Sequence, residues 1–358
     1  MTLKESTPVL ALLFLLSTQN VLACDREFFD ECLDGVGPAV TNSDSLKTST
    51  FRISNGIHQR SDEGDNLASA DSETGLSSGE LFTGWSIWAA YNRSKFDADL
   101  PLVNALDANG SSVAVASYDA DLDGFTIGAD TLLSSKFLLG LAIGYEQSDI
   151  LTDYNGGDNE SDGFTFAPYA AYLISSNFSV DLAAGYSTLD YNTDRIDNSN
   201  GNILRGSFDS DRWFIASNLN ATFNYQNWFL GGRLGYLHTE ERQDAYFETG
   251  GPRARTIKER RVELSQLLLS IDASYSLGSF EPYAIVTYLN DLNREEGEEA
   301  GGLPGGVSAT ISDDDEIQYG LGVRLFSNSI SGSLEWNKTV GRADFNGDAV
   351  MLTLRADL

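Results

Sequence analysis

The sequence predicts an all-β protein, a transmembrane antiparallel up-and-down β-barrel of about 12 strands preceded by a signal peptide and a short polar leader. Three observations predict it. Large apolar residues alternate with small or polar ones over strand-length segments, aromatic residues stand at the ends of the apolar faces, and tight connections alternate strictly with long hydrophilic ones.

Composition narrows the field first. The 358 residues carry 53 Asp and Glu against 23 Lys and Arg, a formal net charge of -30. Such a chain repels nucleic-acid phosphate, so no nucleic-acid partner is expected. Nineteen Phe, 15 Tyr and 34 Gly beside 7 Pro and 2 Met favour strands over helices.

Residues 1–23 read as a signal peptide: Lys4, the apolar run Val9 to Leu16, then Val21 and Ala23 as the small residues before a cleavage site. That run is too short to span a bilayer as a helix, and no other segment approaches the length needed. Cys24 and Cys32 follow at once. In an oxidising compartment they read as a local disulfide, while VLAC also resembles a lipobox that would acylate Cys24, and both readings stay open. Residues 24–81 are polar and aperiodic and read as a mostly extended leader or vestigial passenger.

From residue 82 to the C-terminus the texture changes. Strands are expected at 82–95, 117–133, 137–150, 160–174, 178–192, 207–225, 228–243, 257–277, 280–294, 314–326, 330–342 and 347–358. Phe137, Leu139, Leu141, Ile143 and Tyr145 alternate with Leu138, Gly140, Ala142, Gly144 and Glu146, and Phe178, Val180, Leu182, Ala184 and Tyr186 alternate with a small or polar set. The aromatic ends of these faces are how girdles at two membrane interfaces would be written. Tight links such as Ser134-Ser135-Lys136, Ser175-Ser176-Asn177, Gln226-Asn227 and Gly278-Ser279 alternate with long acidic loops. A membrane barrel sorts its connections this way, with short turns in the periplasm, and a soluble sandwich has no reason to. An even strand count puts both barrel termini on the short-turn side.

The segments GWSIWAAYNRSKFDAD (84–99), YDADLDGFTIGADTLLSSKFLLGLAIGYEQSD (118–149), SFEPYAIVTY (279–288) and the terminal AVMLTLRADL resemble the β-barrel (translocator) domain of Gram-negative autotransporters. The resemblance covers 82–358. It implies an outer-membrane barrel that translocates or anchors an N-terminal segment at the cell surface, with membrane lipid and lipopolysaccharide around it and a monomeric state. It also implies that barrel-insertion machinery reads the last strand, where Val350, Leu352, Leu354 and Leu358 keep the apolar spacing. Family barrels usually end in an aromatic residue, and this one ends in Leu358. They also place a pore-spanning helix before the barrel, and residues 24–81 show no convincing helical period.

The inward-facing candidates are Glu146, Asp181, Arg212, Arg233, Asp272, Arg324 and Arg355, which in the family barrel would line a hydrated lumen. Asp119, Asp121, Asp123 and Gly124 open a calcium-loop pattern with Asp130 at its twelfth position, yet Phe125, Ile127 and Ala129 already alternate as a strand, so no metal is expected. His238 beside Glu240 and Glu241 lacks a second histidine or a nominated nucleophile, and no catalytic residue, enzyme activity or cofactor is expected. Lys258, Arg260 and Arg261 form a basic patch in an acidic outer loop. The alternative function is a pore, or a surface ligand-binding, adhesin-like barrel acting through its long acidic loops.

Overall fold

The computed structural model describes residues 45–58, 85–103, 114–153, 156–197, 200–295, 308–309, 314–327, 329–342 and 345–358. Twelve long strands form the wall: β1 (Trp85–Val103), β2 (Ala114–Ser134), β3 (Phe137–Thr152), β4 (Gly157–Ser175), β5 (Phe178–Asp197), β6 (Asn202–Tyr225), β7 (Trp228–Gln243), β8 (Arg260–Tyr275), β9 (Phe280–Glu295), β10 (Asp315–Phe326), β11 (Ile330–Val340) and β12 (Phe345–Asp357). Each pairs antiparallel with its neighbours in sequence. The ring closes where β1 pairs with β12 from Ser86↔Asp357 to Ala98↔Phe345, and the Leu358 N–H donates to the Trp85 carbonyl at 2.9 Å. Closure removes the sheet edges that a bilayer would not tolerate.

Burial is inverted relative to a soluble protein. Leu141, Ile143, Leu182, Leu219, Leu234 and Leu352 are exposed on the outside, whereas Thr165, Asp181, Arg212, Thr239, Glu241 and Thr287 are buried inside. An oily exterior around a polar interior is stable when hydrocarbon is the outer solvent.

The expected strands are all present, and several run further. β6 extends from Asn202 to Tyr225, well past the roughly 9–11 residues a tilted strand needs to cross hydrocarbon, so its upper half stands clear of the membrane. The expected strand at 257–277 begins instead at Arg260, because Tyr246–Phe247 and Thr256–Ile257 pair as a small hairpin of their own. The tight connections fall where the sequence placed them. Gln226 (φ 57°) and Gly278 (φ 84°) take the left-handed conformations these turns require.

One expectation fails. Within the leader read as extended, residues 45–58 form a helix, α1, and it lies inside the barrel. Polar residues surround most of its circumference because its surroundings are polar, so it needs no wide apolar stripe to be held. Its apolar residues Leu46, Ile53 and Ile57 recur at helical spacing and are fully buried.

Candidate functional site: a helix held in the lumen

The direction of α1 follows from its contacts. Lys47 meets Glu316, which stands at the start of β10 next to the long β9–β10 connection, with 2.7 Å between Nζ and Oε2. At the other end, His58 meets Asp181 at 3.1 Å, close after the tight turn that begins β5. The helix therefore enters from the long-loop end of the barrel and finishes at the tight-turn end, where β1 begins and β12 ends.

Between these ends it touches the wall on many sides. Ser49 hydrogen-bonds Glu146 of β3 and accepts from Arg212 Nη1 of β6 at 2.7 Å. Thr50 pairs with Thr239 of β7 at 3.3 Å. Arg52 Nη1 donates to Asn92 Oδ1 of β1 and to the Leu122 carbonyl of β2, each at 3.1 Å. Arg233 Nη1 of β7 donates to Asn55 Oδ1 at 2.9 Å. With Glu316 and Asp181, six of the twelve strands contact the helix through side-chain polar groups among the described residues, and β2 does so through the Leu122 carbonyl. Ile53 and Ile57 add an apolar seat against Trp88, Leu138, Ala142, Tyr169, Phe214 and Leu237.

Arg212 is the centre of one buried polar cluster. Its guanidinium bridges Glu146 at 2.7 Å and Glu241 at 2.8 Å while also reaching Ser49. Glu241 in turn accepts from Tyr191, Ser210 and Gln243. A buried ion pair holds only when its remaining donors and acceptors are satisfied, and this cluster supplies them. A second network runs from Lys47 through Glu316 to Arg342 and Asp291, the last two 2.5 Å apart.

Small inward residues make room for the rings beneath the helix. A Cβ on Gly128 would come within 2.3 Å of Trp88, and one on Gly140 within 2.2 Å of Tyr169. Trp88 Nε1 donates to the Tyr169 hydroxyl, which donates to Asp130, both at 2.7 Å.

Four of the seven inward candidates, Glu146, Asp181, Arg212 and Arg233, touch the helix directly. The other three lie near the tight-turn end. Arg324 pairs with Glu281 at 2.9 Å and covers the Tyr283 ring, Arg355 pairs with Asp357 at 2.6 Å, and the Asp272 carboxylate occupies the space a Cβ on Gly231 would need. The sequence reading missed the helix's own contact residues, Lys47, Ser49, Arg52, Asn55 and His58. The spacing of Leu46, Ile53 and Ile57 was the one signal that could have found them.

Val350, Leu352, Leu354 and Leu358 lie on the outward face. Asp121 and Asp123 also point outward, toward Lys95 and Tyr91, whereas Asp130 points in, so the calcium-loop carboxylates stand on opposite faces of β2. His238 faces outward too, against Trp213 and 2.9 Å from Ser265 Oγ. Arg261 pairs with Glu240 and Glu263, and Arg260 is buried, which breaks up the basic patch. Cys24 and Cys32 lie outside the described residues.

Above the wall, the β7–β8 connection folds over the β5–β6 hairpin. Tyr191, Phe208 and Tyr246 stack with centroids 4.8 Å apart, and Arg195 grips Glu248 through two hydrogen bonds. Burial raises the Tyr246 hydroxyl above its ordinary pKa.

A closed twelve-stranded wall, apolar outside and threaded by a polar helix, defines a membrane-spanning β-barrel. The chain matches the family described as Autotransporter beta-domain over residues 103–337, and it belongs to that family. Its structure is similar to the translocator domain of autotransporter NalP from Neisseria meningitidis, at 13% identity and a TM-score of 0.68, covering 89% of this chain and 99% of that one. It is also similar to the beta domain of the Bordetella autotransporter Brka, at 16% identity and a TM-score of 0.53, covering 76% and 99%. Comparison with curated proteins returned no significant match. The protein is thus an outer-membrane autotransporter barrel, a transport module by class.

Proposed function

We propose that the barrel anchors the segment preceding α1 and displays it at the cell surface, with the helix retained as a plug. The direction of the helix carries this reading. Because α1 enters from the long-loop end, the residues before it leave on that side, which in a barrel of this kind faces outward. Both barrel termini then lie in the periplasm. Glu146, Asp181, Arg212 and Arg233 act as docking points for the helix, while Asp272, Arg324 and Arg355 hold the shape of the base.

The remaining roles follow from the same placement. Residues 1–23 are removed on export, and Cys24 and Cys32 lie in the displayed segment, where oxidising conditions favour their pairing. Outward Val350, Leu352, Leu354 and Leu358 present an apolar row to the insertion machinery and then to lipid. The wall works as a monomer among phospholipid and lipopolysaccharide, without catalysis.

The test is an epitope placed between residues 33 and 43, probed with antibody on intact cells. Labelling without permeabilisation, together with silence of an epitope at the Ser176-Asn177 turn, is the expected result. The reverse pattern would overturn the proposed topology.

A further inference from the structure

Arg52 differs from every other docking group on the helix. It is 9% exposed, and its Nη1 is occupied by Asn92 and the Leu122 carbonyl, but its Nε and Nη2 have no hydrogen-bond partner among the described residues. No described carboxylate forms an ion pair with it. A guanidinium stays charged at neutral pH, and the carboxylates that act on this one, Glu146 and Asp123, do so from beyond ion-pairing distance, which leaves the buried charge only partly compensated. Lys47, by contrast, has Glu316, and Arg212 has both Glu146 and Glu241.

Arg52 also lines two cavities between the helix and the wall, of about 70 and 20 Å³, which share Asn92. The smaller is flanked by Glu146, which disfavours a second negative charge. The larger is lined by the amides of Asn55, Asn92, Gln318 and Asn337, and its carboxylates are engaged elsewhere: Glu316 by Lys47 and Arg342, Asp348 by Lys338. The positive charge of Arg52 is what remains. The volume exceeds the roughly 10–15 Å³ one water needs, yet it is too small for an organic anion of any size. Gln266 Oε1, also on this wall and without a described donor, suits a water that donates one hydrogen to it and the other to an anion.

We propose that Arg52 and the surrounding amides bind a small inorganic anion, chloride in particular, between α1 and the β1 side of the wall. The ion completes the compensation of the Arg52 charge and fastens the helix to the β1 side of the lumen, where no wall carboxylate among the described residues forms an ion pair with it.

Two measurements test this on the full chain in detergent. In the first, gluconate is exchanged for chloride or bromide at constant ionic strength while the thermal midpoint is followed by heat-modifiable gel migration. The wild type should gain stability saturably with halide, and Arg52→Gln should lose that dependence. The second locates bromide by anomalous scattering in crystals of the wild type, expected within hydrogen-bonding distance of Arg52 Nε or Nη2. It decides alone if Arg52→Gln does not fold. Halide dependence that survives Arg52→Gln, or bromide density away from Arg52, would overturn the site.

Discussion

The two faces of the same wall hold their neighbours by different physics. Outside, Leu141, Leu182, Leu234 and Leu352 meet a fluid solvent whose chains conform to any apolar shape, so the interaction is non-directional. Inside, Arg212, Glu146, Asp181 and Arg233 meet one helix at fixed angles and distances. The outer face therefore asks only for the right class of residue, while the inner face asks for particular residues.

Substitutions on each face sharpen that contrast. The largest effect is expected for Arg212→Ala, which strands the Glu146 and Glu241 carboxylates and should cost about 3–5 kcal/mol in denaturant titrations. It should also raise the protease sensitivity of the helix. Leu182→Arg places a charge in the lipid belt and should cost about 2–4 kcal/mol in refolding into lipid vesicles, whereas Leu182→Ile should leave the midpoint nearly unchanged. Gly185→Val drives a side chain into the Phe214 ring, since even a Cβ there would sit 2.0 Å from it, and should cost about 1–3 kcal/mol by the same titration. Arg205→Ala, which breaks the exposed pair with Asp194 above the membrane, should change stability by about 0–1 kcal/mol. An effect of Arg205→Ala as large as that of Arg212→Ala would erase the distinction between the faces.

The same contrast explains which parts of the molecule were legible in the sequence. Lipid favours apolar residues at alternate positions where β3, β5 and β6 cross it, and that period-two pattern is visible without a partner. Inward Glu146, Asp181, Arg212 and Arg233 follow from it by parity. The helix was not legible, because a polar lumen asks little of its pattern and Thr48, Ser49 and Thr50 are weak helix formers. Its stability comes from the wall, which a local reading of residues 24–81 does not contain. The start of β8 was misplaced for a similar reason: the 246–257 hairpin is held by Tyr191, Phe208 and Arg195, all distant in sequence.

The account rests on α1 filling the lumen of a membrane-spanning barrel, and single-channel recording in planar bilayers tests that most directly. The intact chain should conduct little, and a chain lacking residues 45–58 should insert and open a large, steady pore. Equal conductance of the two, or failure of either to enter the bilayer, would contradict it.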